Sequence, residues 1–114
     1  MLKVTTVPYD QKTWVLVLDG ALDLSNVEEL RDAFDALFEK KIYRIILDLE
    51  RVSFIASAGF GCLLHARDVV LENGGGLVFA GTHSRVREIF DLLGITSFLR
   101  FAPDLGGALA QMEA

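Results

Sequence analysis

Apolar residues along this chain change period several times, and each change marks a predicted element. Val4 to Val7 and Trp14 to Leu18 are short β-branched and aromatic runs separated by the turn-forming interval Pro8-Tyr9-Asp10-Gln11-Lys12. They predict an opening antiparallel pair, with Gly20 closing its second strand. From Val27 the period lengthens: Val27, Leu30, Phe34, Leu37 and Phe38 share one stripe at helical spacing, while Glu29, Arg31, Asp32 and Asp35 fall on the opposite side. Ser25-Asn26-Val27-Glu28 reads as a capping box, the Ser25 hydroxyl taking the amide three residues on and Glu28 reaching back. Lys40 and Lys41 suit the negative end of that helix.

Tyr43 to Leu49 is a largely apolar run of strand length, followed by a second helix from about Ala58 to Glu72 that Gly74-Gly75-Gly76 ends. The triple glycine lies after a helix and before the apolar strand Leu77-Val78-Phe79-Ala80, so it reads as a C-cap and tight turn and not as a phosphate cradle. Val86, Ile89, Phe90 and Leu93 repeat at helical spacing and predict a third helix stopped by Gly94. Ser97 to Phe101 is expected as a last short strand, and Pro103-Asp104 opens a final helix to about Met112, weakened by its two glycines. The order β-β-α-β-α-β-α-β-α implies an α/β fold: a mixed, mostly parallel sheet with about four helices and right-handed crossovers. No linker, repeat or low-complexity tract interrupts it, so residues 1–114 are read as one domain.

Composition narrows the function classes. The chain is 52% hydrophobic, yet no stretch reaches the ~18 apolar residues a membrane span needs, and Met1-Leu2-Lys3-Val4 lacks a secretory leader pattern. A cytoplasmic protein with no membrane insertion is expected. A formal charge of −5 argues against a nucleic-acid surface, which requires clustered Lys and Arg, and points to a protein partner. With Cys62 alone and only His65 and His83 beside it, neither a disulfide nor a zinc cage can be built, and no metal or cofactor is expected. Cys62 reads as a small buried apolar residue.

The segment that does not read as ordinary packing is Val52-Ser53-Phe54-Ile55-Ala56-Ser57-Ala58-Gly59-Phe60-Gly61, where a strand passes through small residues into a helix start. A hydroxyl there, Ser57, is placed either as a plain N-cap or as the seat of a phosphate that the helix start would stabilise. Phe60 beside it could anchor an interface or face the core. Gly59-Phe60-Gly61 begins a Gly-x-Gly pattern, but Leu64 stands where a dinucleotide fingerprint has its third glycine. His65 falls two turns along the helix from Ser57 and His83 starts another element, so no catalytic base is positioned and no enzyme is expected.

Leu47-Asp48-Leu49-Glu50-Arg51-Val52-Ser53-Phe54-Ile55-Ala56-Ser57-Ala58-Gly59-Phe60-Gly61 resembles the signature of STAS domains in bacterial anti-sigma factor antagonists, in which D-L-x-x-V-x-F leads into Asp-Ser-(Ser/Thr/Ala)-Gly-(Leu/Ile)-Gly. Gly20-Ala21-Leu22-Asp23 is similar to that family's Gly-Asp-(Leu/Ile)-Asp, and Val86 to Ile95 to its penultimate helix. The resemblance implies a STAS-type single domain that docks on an anti-sigma factor, often a serine kinase, which disarms it by phosphorylating a loop hydroxyl; a monomer is the default expectation. By the same resemblance Ser57 is the candidate acceptor, and Asp23, Ala56, Ser57, Ala58, Gly59 and Phe60 are the candidate partner-binding residues. Ala56 stands where the family usually has Asp, Ala58 where several members carry the phosphorylated hydroxyl, and Ala21 where another Asp is usual. A second family role, as the subunit that clasps the ATPase of a lipid-transport ABC system, uses the same scaffold.

Overall fold

In a computed structural model the described residues are 2–113. They form, in order, β1 (Leu2–Pro8), β2 (Thr13–Leu22), α1 (Val27–Glu39), β3 (Arg44–Ile55), α2 (Ser57–Glu72), β4 (Gly76–Ala80), α3 (Ser84–Leu92), a 3-10 turn (Thr96–Phe98), β5 (Arg100–Ala102) and α4 (Leu105–Glu113). The strands make one five-stranded sheet in sequential order, β1 antiparallel to β2 and every later pair parallel. Each parallel step moves one place across the sheet in the same direction, so right-handed crossovers put α1, α2 and α3 on one face.

The alternation of side chains along the strands divides the core accordingly. Leu16, Leu18, Ile45, Leu47, Leu77 and Phe79 pack under α1, α2 and α3, whereas Val15, Ile46, Val78 and Ala80 point the other way, under Ala108 and Met112 of α4. On the first face Phe60 of α2, Phe79 of β4, Phe90 of α3 and Phe101 of β5 join ring to ring, with centroids 4.7 to 5.6 Å apart. Arg44 and Arg100 donate to the carbonyls of Met112 and Gln111, placing positive charge at the negative end of α4.

The sheet extends further than the sequence pattern indicates. β3 runs on to Ile55 because it takes in an extra residue twice against β2: Val17 pairs with Asp48 but Asp19 with Arg51, and Gly20 with Val52 but Ala21 with Phe54. Its buried residues Leu47, Leu49, Val52 and Ile55 are therefore spaced by two, three and three, which hides the strand from a period-two reading. Gly20 lies within β2 at φ 122°, a left-handed backbone that glycine adopts freely, so the strand turns there without ending.

Two local expectations are corrected. The capping box does not form: Asn26 takes the N-cap position, the Ser25 hydroxyl donates to Asp23, and Glu28 pairs with Arg31. Ser97 to Phe101 is not one strand. Thr96–Phe98 is a 3-10 turn after the positive-φ Gly94, and only Arg100–Ala102 pairs with β4.

Candidate functional site

β2 and β3 finish side by side, Leu22 opposite Ile55, and the two chains leaving them stay tied: the Ala56 N–H donates to the Leu22 carbonyl at 2.8 Å. The β2–α1 loop and the β3–α2 junction thus form one surface at the C-terminal edge of the sheet. Asn26 is the rivet of the first loop. Nine-tenths buried, it donates to the Ala21 carbonyl and accepts the Asp23 N–H, both at 2.9 Å, so its amide is spent on the bend and not on a helix cap. Asp23 stands above it, half-buried, with its carboxylate accepting both the Ser25 hydroxyl at 2.5 Å and the Ser25 N–H at 2.9 Å. Those bonds, the hydroxyl first, hold the Asp23 carboxyl below its usual 3.8.

At the second junction Ala56, extended at ψ 170°, is the N-cap of α2, and its carbonyl accepts the N–H groups of Gly59 and Phe60. Ser57 is therefore the first residue of the helix, not its cap, and α2 begins one residue earlier than the sequence suggests. The Ser57 hydroxyl is exposed and makes no hydrogen bond with the described residues, and the Ser57 and Ala58 N–H groups have no backbone acceptor among them. The first turn of α2 carries no acidic side chain. The result is an open hydroxyl at the positive end of a 16-residue helix, with free amides beside it.

The other candidates divide between surface and core. Ala58 is partly exposed and Gly61 open, while Gly59 is packed so closely that a Cβ there would meet Leu22 at 2.7 Å and Ile55 at 2.8 Å. Gly59 thus lets α2 lie against the strand ends. Phe60 is 6% exposed and meets Phe90 edge to face at 4.7 Å, so the expectation that it anchors an interface is corrected: the helix turns it into the core. The large apolar side chains that do face solvent here are Leu24, 79% exposed, and Phe54, 49% exposed. Sequence reasoning passed over both. Phe54 carries a signal in retrospect, since the extra residue Ser53 shifts it out of the buried face.

Neither histidine bonds to Ser57: exposed His65 makes no hydrogen bond among the described residues, and His83 contacts the Glu50 carbonyl through Nε2 at 2.7 Å. Cys62 lies on the buried side of α2, and that burial raises its thiol above the ordinary value, which suits packing and not reaction. Among the described residues there is no grouping of three or more His, Cys, Asp or Glu able to hold a metal, and no helix long and apolar enough to cross a membrane.

This frame, a sequentially ordered mixed sheet with a small-residue strand-to-helix junction at one end, defines a class of domain. The chain belongs to the STAS domain family, whose model matches residues 5–108. It is 30% identical over 99 residues to BtrV of Bordetella bronchiseptica, assigned as an anti-sigma factor antagonist, covering 87% of this chain and 85% of that one. Its fold matches that of a Thermotoga maritima protein with the same assignment, at TM-score 0.90, 16% identity and coverage of 97% and 95% of the two chains. It also matches the Bacillus cell fate determinant SpoIIAA in its phosphorylated form, at TM-score 0.75, 24% identity and coverage of 96% and 98%.

Proposed function

We propose that this protein is an anti-sigma factor antagonist working by partner switching: it docks on an anti-sigma factor through the paired β2–α1 and β3–α2 loops, and phosphorylation of Ser57 releases it. The observation that carries this reading is the free, exposed Ser57 hydroxyl on the first turn of α2, held in a rigid frame by the Ala56–Leu22 bond and open to a kinase. Leu24 and Phe54 supply the apolar contact area beside it, and Asp23, fixed by Ser25, supplies a carboxylate of set direction.

The mechanism follows from charge and placement. A phosphate on Ser57 adds about 1.5 to 2 negative charges to that surface. The free amides and the helix dipole stabilise it, so the fold is retained. A partner face shaped for a neutral hydroxyl next to Leu24 and Phe54 must then desolvate a dianion, and the complex dissociates. The protein performs no chemistry of its own in this scheme; it is the substrate of a serine kinase, in the cytoplasm, as a monomer. The Ala residues at 56 and 58 leave Ser57 as the only hydroxyl of the junction's first turn, which makes the switch single-site.

The test is calorimetry against the anti-sigma factor kinase encoded in the same genome. Wild type and Ser57→Ala are expected to bind alike and Ser57→Glu to lose at least about tenfold in affinity. Incubation with the kinase and ATP is expected to add one phosphate to wild type and none to Ser57→Ala by intact mass. Equal binding by Ser57→Ala and Ser57→Glu would remove the switch.

A further inference from the structure

The C-terminal ends of β4 and β5 open onto a crevice that the partner-switching reading does not use, lined by Thr82, Arg87, Phe101, Ala102 and Pro103. β4 sends its chain into α3 on one face of the sheet and β5 sends its chain into α4 on the other, as the two core clusters show. Ligands of open α/β sheets enter at such a divergence of adjacent parallel strands. The two loops are tied by the Gly81 N–H, which donates to the Ala102 carbonyl at 3.1 Å, so the crevice has fixed walls.

Two polar atoms in its lining are unaccounted for. Arg87 Nε and Thr82 Oγ1 are both shielded from water, and neither has a hydrogen-bond partner among the described residues. The guanidinium is held over the Phe101 ring, its Cζ 3.9 Å from the centroid, which fixes the side chain against the sheet. Asp91 is the carboxylate paired with it, but its Oδ1 stands 3.9 Å from Nε, beyond hydrogen-bond reach, and that oxygen accepts the Thr96 hydroxyl instead. A buried donor left unmade costs about 1 to 3 kcal/mol, more on a charged group, so a fold that leaves two adjacent to one opening has a reason to do so. With its side chain still 42% exposed, Arg87 can be reached from outside.

We infer that this crevice binds a small oxyanion of the phosphate or carboxylate class, with the Arg87 guanidinium and the Thr82 hydroxyl as donors. An arginine fork matches the spacing of oxygens in either group, and stacking on Phe101 leaves it pre-aimed. The site depends on none of the residues of the Ser57 surface, so it stands or falls separately from the switch.

The experiment is NMR of the full-length 15N-labelled protein, following the Arg87 Nε–H signal and the backbone amides of Thr82 and Phe101. Potassium phosphate and sodium acetate are titrated separately at constant ionic strength, with sodium chloride as the control. Saturable shifts of these signals are expected with one or both oxyanions and not with chloride. Phosphate alone saturating assigns the crevice to the phosphate class, and acetate alone assigns it to the carboxylate class. Arg87→Lys keeps the charge but removes the Nε donor and is expected to weaken binding about tenfold or more. Thr82→Val, nearly isosteric, provides a second variant that removes only the hydroxyl. Shifts no larger than those with chloride, or saturation unchanged in both variants, overturn the assignment.

Discussion

The behaviour of Asp23 rests on the side chains of Ser25 and Asn26, neither of which belongs to the junction the serine occupies. Ser25 donates twice to the Asp23 carboxylate, and Asn26 fixes the Asp23 backbone from below. Because the charged form accepts these bonds, the folded carboxyl titrates below 3.8; whatever stability it contributes is complete above that value and is lost as pH falls through the lower folded pKa. NMR titration is therefore expected to show an Asp23 midpoint below the usual Asp value, with Ser25→Ala moving it back up, since the hydroxyl is the foremost cause of the shift. Asn26→Ala leaves the part-buried Ala21 carbonyl and Asp23 N–H without their side-chain partner, and a loss of about 1 to 3 kcal/mol in urea unfolding is expected, together with weaker anti-sigma factor binding through the loosened loop. Gly59 shows the reverse constraint, too little space. A methyl group there must displace Leu22 and Ile55, so Gly59→Ala is expected to destabilise by about 1 to 3 kcal/mol, read as a lower urea midpoint.

Among the elements, α2 links the proposed switch surface to the core, because Ser57 stands on its exposed first turn and Phe60, three residues on, enters the phenylalanine cluster. Phe90 is the hub of that cluster, touching Phe60, Phe79 and Phe101 while fully buried. Phe90→Ala is expected to cost about 3 to 5 kcal/mol, measured by urea unfolding, and to loosen α2 and α3 together. α1 was legible in the sequence because its apolar stripe repeats over several turns, in Val27, Leu30, Phe34 and Leu37, and all four of those residues are buried. β4 was equally plain, a short apolar run buried along its whole length. What the sequence hid were features decided by competition between neighbours. Ser25 could not be read as anything but a cap until Asp23 was seen to take its hydroxyl, and the far half of β3 vanished because its extra residues break the alternation. The Ser57 junction was found through its small residues and their family pattern. Its apolar flank was missed because whether Leu24 and Phe54 face water depends on register, which one strand does not carry alone.

For the molecule as a whole, the arrangement separates what must hold from what must change. Both core clusters lie within the sheet and its two helical layers, and neither includes Asp23, Ser57, Leu24 or Phe54. A modification at Ser57 therefore adds charge to a surface without removing any buried contact, and the helix start that receives it is favourable ground for an anion. Partner release and folding stability should consequently be independent. Ser57→Glu, with a carboxylate at the first position of α2, is expected to keep the wild-type urea midpoint or raise it by the equivalent of about 0.3 to 1 kcal/mol, and that small gain should fade in high salt as the dipole is screened. The same variant should lose the anti-sigma factor. A lowered midpoint in Ser57→Glu would mean instead that the serine is bound up with folding, so that a kinase would release the partner by loosening the domain; an unchanged midpoint with lost binding is what a surface switch on a rigid frame requires.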